Sequence, residues 1–95
     1  MAKLIWTDQA INDLEDIGNY ISKSSNKYAK LTIKKLYNRT HILKKFPFSG
    51  RVVPEKKDLN LREIIEGNYR IIFEIISDDL VYVLGIYHSA RDLNF

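Results

Sequence analysis

Five residues in the last third of the chain have types and spacing suited to chemistry. Arg62 and Arg70 lie near the starts of two apolar runs, LREII (61–65) and YRIIFEII (69–76). Tyr87 and His88 end a third run, LVYVLGIYH (80–88), and Arg91 follows three residues later. Arginines that converge beside a histidine suit cleavage of RNA by internal attack of a 2′-hydroxyl. That reaction needs a base, an acid and positive charge around a pentavalent phosphate. An imidazole exchanges protons near neutral pH, so His88 is the candidate acid or base. Guanidinium groups grip phosphate oxygens in pairs, which makes Arg70 and Arg91 the candidate phosphate holders. The plainer reading is structural. Arg70 then pairs with Glu63 or Glu74 across a sheet, His88 is a polar strand end, and Arg91 pairs with Asp92 or Asp58.

Other chemistries find little support. Cysteine is absent, which excludes disulfides and thiolate metal sites. His41 and His88 fall on different elements with no HxxxH or DxD pattern, so no metal site is expected. The four glycines are scattered and form no phosphate-binding loop. No nucleophile elbow is present, and no cofactor is expected.

Positioning the candidate residues requires three closing strands in antiparallel sequence. EGN (66–68) and SDD (77–79) separate the three runs at hairpin distance. In the middle run Ile71, Phe73 and Ile75 alternate with Arg70, Ile72, Glu74 and Ile76, so one face is strongly apolar and the other mixed. The hairpin pattern brings Arg62 opposite Arg70, and His88 and Arg91 beside Arg70, at one sheet edge. KLIW (3–6) reads as a further short strand. Thr7 or Asp8 caps a helix with a stripe at Ala10, Leu14, Ile17 and Ile21. Gly18, inside that helix, is placed to admit a close neighbour. SKSSN (22–26) starts a second helix with a stripe at Ala29, Ile33, Leu36, Thr40 and Leu43. Pro47 ends it. Phe46 and Phe48 are expected to pin the following loop to the core, and Gly50 to supply a turn conformation closed to other residues. The order is β-α-α-β-β-β: an α+β fold with an N-terminal helix hairpin on one face of a mostly antiparallel sheet.

Ninety-five residues suit a single domain spanning 1–95. A chain this short buries only ~60% of its unfolded surface, which leaves apolar area for a partner. No signal peptide or membrane span is read from the sequence, and the expected location is cytoplasmic. The net charge of +3 conceals a segregation. Residues 1–16 carry one base and four acids. Residues 17–54 carry nine bases and no acid. Residues 55–95 carry five bases and eight acids. The central block favours a polyanion or an acidic protein segment, or is a solvated lysine face. Lys27, Lys30, Lys34, His41 and Lys45 share one side of its helix.

WTDQAINDLEDIGNYI, FPFSGRVVPE, LREIIEGNYRIIFEI and VYVLGIYHSARDL, in this order, resemble the RelE/ParE superfamily of toxins from type II toxin–antitoxin modules. The resemblance covers nearly the whole chain. It implies a small cytoplasmic toxin that inhibits growth and stabilises plasmids, neutralised by a cognate antitoxin protein. DNA contact would then be indirect, through the antitoxin. RelE-like members cut mRNA on the ribosome, whereas ParE-like members inhibit DNA gyrase without catalytic residues. Tyr69-Arg70 matches a RelE-like YR pair. The preceding strand departs from that pattern, with Leu61 and Glu63 where bases are expected, and the tail lacks a Lys/Arg run. FPxxGR, LRE and HxARDL are similar to ParE-like sequences. The resemblance therefore implies gyrase inhibition, with Arg62, Arg70, Tyr87, His88 and Arg91 as target-binding groups. The alternatives are a ribosome-dependent mRNA endonuclease using Arg70, His88 and Arg91, and an inactive toxin kept as an interaction module.

Overall fold

The helix hairpin covers one face of the sheet, and a loop and the C-terminal segment cover part of the other. The computed structural model describes residues 1–91 and 93. The elements run β1 (Lys3–Trp6), α1 (Asp8–Ser22), α2 (Asn26–Arg39), β2 (Arg51–Val52), β3 (Leu61–Glu66), β4 (Tyr69–Ser77) and β5 (Leu80–His88). Two 3-10 turns, Thr40–Lys44 and Pro47–Ser49, lie between α2 and β2. Among the described residues the sheet order is β1-β5-β4-β3-β2. β1 pairs with β5 in parallel, and every other pair is antiparallel.

Thr7 joins strand to helix. Its hydroxyl oxygen accepts from the Ala10 N–H at 3.2 Å and caps α1, while the hydroxyl donates to the Val83 carbonyl at 2.9 Å. Ser25 caps α2 in the same way, accepting from the Tyr28 N–H at 3.0 Å. Each cap satisfies a donor that the first helical turn leaves open. Gly18 is placed to admit a close neighbour as expected: a Cβ there would meet the tip of the Ile33 side chain on α2, which would have to shift. Ala29, Leu36, Thr40 and Leu43 are buried, so the apolar stripe runs unbroken from α2 into the 3-10 turn.

The alternation along β4 also matches. Ile71, Phe73 and Ile75 face the helices and pack with Leu36, Leu43, Val81 and Val83. The β3–β4 loop is Gly67-Asn68, and Gly67 has φ +57°. A positive φ at the first loop position is what a two-residue II′ hairpin turn requires.

Three expectations around residues 46–52 fail. Arg51–Val52 forms a short fifth strand on the edge of β3, too brief to leave a period in sequence. Phe46 and Phe48 are exposed; the loop is held instead at Gly50, whose carbonyl accepts from Arg62 Nη1 at 3.0 Å. Phe48 lies under the Arg62 guanidinium at 4.9 Å. Gly50 has φ −78°, an ordinary extended value. It is glycine for lack of space: a Cβ would sit 2.6 Å from the Glu63 carbonyl oxygen and 2.7 Å from the Phe73 ring.

The second sheet face holds a smaller cluster that sequence periodicity did not reveal. Ile72 is fully buried there among Val53, Leu61 and Leu93, with Leu84 and Tyr87 packed around them. A bulge in β5 serves this face. Ile72 pairs with Gly85 but Phe73 pairs with Val83, so Leu84 is an extra residue. Such an insertion re-aims the strand beyond it. The end of β5 then lies with Tyr87 beside Arg70 and His88 beside Tyr69.

Candidate functional site

Arg70 is the buried centre of the second face, 5% exposed. Its Nε donates to Glu63 Oε1 at 2.9 Å, and its Nη2 donates to the same oxygen. Nη1 and Nη2 each donate to one oxygen of Glu55 at 2.8 Å, a bidentate fork. The other Nη1 hydrogen goes to the Arg91 carbonyl at 3.0 Å. A guanidinium has five N–H donors, and all five are spent within the protein. On the far side of Glu63, Arg51 donates from Nε to Oε2 at 2.7 Å. The Glu63 side chain is completely buried. Two arginines and two glutamates therefore neutralise one another.

A cleft of about 330 Å³ opens beside this network, lined by Arg51, Pro54, Glu55, Ile65, Arg70 and Ser89. The paired Arg70 guanidinium holds the Glu55 carboxyl down to about pH 2, well below its usual 4.5, with help from the Leu93 N–H. The two carboxylates in turn raise the affinity of Arg70 for its proton. Because the Glu55 value is depressed on folding, its contribution to stability is complete above about pH 4.5 and is lost as pH falls toward 2. Glu55→Gln is therefore expected to lower the melting temperature at pH 7 and to flatten its decline between those two values. Thermal melts across that range check this, and an unchanged slope would contradict it.

The predicted constellation is only partly assembled. Tyr87, His88 and Arg91 do lie at the Arg70 end of the sheet. Arg62 does not join them, because it stands opposite Phe73 in the β3–β4 register, whereas Arg70 stands opposite Ile65. The two arginines are therefore displaced along the hairpin and lie on opposite faces of the sheet. Arg62 donates to the Leu59 carbonyl at 2.8 Å and the Gly50 carbonyl at 3.0 Å, bracing the loop around β2. The expected meeting place also differs. It is the end of two central strands, not a lateral edge.

His88 and Arg91 are exposed on a tight turn, with the Arg91 N–H donating to the His88 carbonyl at 3.0 Å. His88 Nδ1 accepts from the Ala90 N–H at 3.2 Å, an arrangement that places the neutral ring's hydrogen on Nε2, toward solvent. Its ring meets Tyr69 edge-on at 6.2 Å. The Arg91 guanidinium lies 5.3 Å from the centre of the Tyr87 ring. Asp92, one of the ion-pair partners considered for Arg91, lies outside the described residues. Sequence reasoning weighed Glu63 as a partner of Arg70 but missed Glu55, which sits in a loop fifteen residues away. One signal was available: Glu55 is the first acid after the acid-free block.

Residues 4–93 match the family model described as the ParE toxin of the type II toxin–antitoxin system, parDE. The chain belongs to the ParE toxin family. The toxin is also similar to Toxin RelE2 of Caulobacter vibrioides, with 31% identity over 91 residues, 96% of this chain and 99% of that one. Two solved structures share its fold. The chromosomal ParDE toxin–antitoxin system from P. aeruginosa superposes with a TM-score of 0.74 at 19% identity, over 93% of this chain and 96% of that one. The RelBE2 toxin–antitoxin complex from Mycobacterium tuberculosis gives 0.58 at 19% identity, over 92% and 96%. The toxin thus sits within the RelE/ParE superfamily, and its α+β architecture is the one those structures share. Among its described residues no helix is long and apolar enough to cross a membrane.

Proposed function

We propose that this toxin arrests growth by binding DNA gyrase, without catalysing a reaction of its own. The observation that supports this reading is the saturation of Arg70. The arginine of the YR pair has all five donors engaged by Glu63, Glu55 and the Arg91 carbonyl. It has no N–H left for a scissile phosphate, and the two carboxylates around it would repel one. Arg70 is then a structural residue, and Tyr87, His88 and Arg91 are docking groups. Three lysines of α2, and Lys45 just past the 3-10 turn that follows it, suit a target that holds DNA. Lys27, Lys30, Lys34 and Lys45 are exposed, and none is in an ion pair among the described residues. Such a stripe attracts phosphates along a backbone.

The solved relatives are toxin–antitoxin complexes, and on that ground a cognate antitoxin is proposed to neutralise this chain. A groove of about 300 Å³ between α2 and the β3–β4 turn offers it Tyr28, Leu31 and Tyr69. Its apolar lining suits a partner's side chains.

A ribosome-dependent endonuclease remains the second reading, favoured by the exposed turn that presents His88 and Arg91. Magnitude separates the two. Loss of a general acid or base costs about 10²–10⁴-fold, whereas loss of one docking contact worth 1.4 kcal/mol costs about tenfold. His88→Ala is therefore expected to raise the concentration for half-inhibition of gyrase supercoiling by about tenfold or less and to leave cells growth-arrested. A folded His88→Ala protein with no toxicity at all would favour the nuclease, as would wild-type protein that leaves supercoiling untouched at high excess.

A further inference from the structure

The segment after β5 leaves the sheet at His88, yet it is tied down at three points. The Arg91 carbonyl accepts from Arg70 Nη1 at 3.0 Å. The Leu93 N–H donates to Glu55 Oε2 at 3.1 Å. The Leu93 side chain is 3% exposed, inserted among Val53, Leu61 and Ile72. Glu55 is common to this arrangement. Its Oε2 accepts from both Arg70 and Leu93, and its Oε1 from Arg70, so one carboxylate links the tail backbone to the buried arginine.

We propose that Glu55 is a positioning residue, a clamp on the C-terminal segment that fixes the His88–Arg91 turn in the form presented to the toxin's target. This rests on the reading that the turn touches the target. The chemistry favours a clamp over a purely structural ion pair for two reasons. Glu63 alone already gives Arg70 a buried counter-charge, with two hydrogen bonds. Glu55 comes instead from the loop after β2, with its side chain 21% exposed, and it spends one acceptor on a backbone N–H two residues beyond Arg91. The tail cannot lift without leaving Ile72 and Leu61 uncovered and Glu55 with one hydrogen bond fewer. Held down, the turn meets its target already ordered. Released, it must be re-ordered on binding, at about 1–2 kcal/mol for each backbone residue fixed.

Two variants of the full chain test the clamp. Glu55→Ala removes the carboxylate, and Leu93→Gly removes the buried anchor while leaving every charge in place. In both, amide exchange at position 93, corrected for the intrinsic rate of the residue there, is expected to accelerate by about tenfold or more, while Ile71 and Phe73 in β4 keep their protection. Growth arrest on induction without antitoxin is expected to weaken in both, with binding of purified antitoxin unchanged. In the supercoiling assay the half-inhibiting concentration is expected to rise by about tenfold or more, corresponding to one or two residues re-ordered. Unchanged Leu93 exchange in Glu55→Ala would overturn the clamp. So would fast exchange with undiminished growth arrest, since the turn would then need no fixing. If β4 protection is also lost in Glu55→Ala, Leu93→Gly decides by the same two criteria. Wild-type protein that arrests growth but spares gyrase would overturn the gyrase reading alone, because exchange and growth arrest judge the clamp without it.

Discussion

Arg70→Met is expected to destabilise the toxin by about 3 kcal/mol, the low end of the cost of breaking a buried ion pair. The loss comes from what is left behind. Glu63 is completely buried, and its Oε1 would lose both guanidinium bonds at once. Arg51 still holds Oε2, which keeps the expectation below the upper end of that range. Glu55 and the Arg91 carbonyl would lose their donors as well, but both can turn to water. Urea unfolding should show a lower midpoint with an unchanged slope. The double variant Arg70→Met/Glu63→Leu should recover much of the loss, because no buried charge then remains. A single variant as stable as wild type would mean that the network contributes nothing, and the case for Arg70 as a structural residue would fall. The consequence for function is direct. Loss of toxicity in an Arg70 variant is no proof of catalysis, because the fold and the tail suffer first.

Phe73→Ala is expected to cost about 3–5 kcal/mol, the range for deleting a buried aromatic side chain. Phe73 is fully buried in the middle of β4 and belongs to the main cluster with Leu36, Leu43 and Val83. It also supports the loop around β2, since its ring lies where a Cβ on Gly50 would come within 2.7 Å. Removing the ring leaves a cavity under the short strand that carries Arg51. Total stability of small domains is about 5–15 kcal/mol, so this one change should bring unfolding within reach of mild denaturant. A shift of the urea midpoint worth less than about 1 kcal/mol would contradict the packing described for this face.

Much of this architecture was legible because it is periodic. The α1 and α2 stripes, the alternation of Ile71, Phe73 and Ile75, and the short turns at 66–68 and 77–79 each leave a repeat that sequence reveals. The N-cap of α1 was legible from side-chain chemistry as Thr7 or Asp8, and the structure uses Thr7. The failures lie where geometry has no period. β2 is two residues long. Phe46 and Phe48 are aromatic yet exposed, and Phe48 lies under the Arg62 guanidinium rather than in the core. Arg62 and Arg70 were placed together by hairpin proximity, but the β3–β4 register sets Arg62 opposite Phe73 instead. The Arg70–Glu55 pair joins residues on a strand and a distant loop. Single-sequence patterns cannot supply that contact, and it decides what Arg70 is free to do. The bulge at Leu84, which sets Tyr87 and His88 beside β4, is likewise a product of packing on the second face.

The most direct test of gyrase as the target is pulse-labelling after induction of the toxin without its antitoxin, following DNA and protein synthesis in the same culture. DNA synthesis is expected to stop first, with protein synthesis continuing until later. Protein synthesis failing first, with DNA synthesis intact, would contradict the gyrase reading and make His88 and Arg91 the leading catalytic pair.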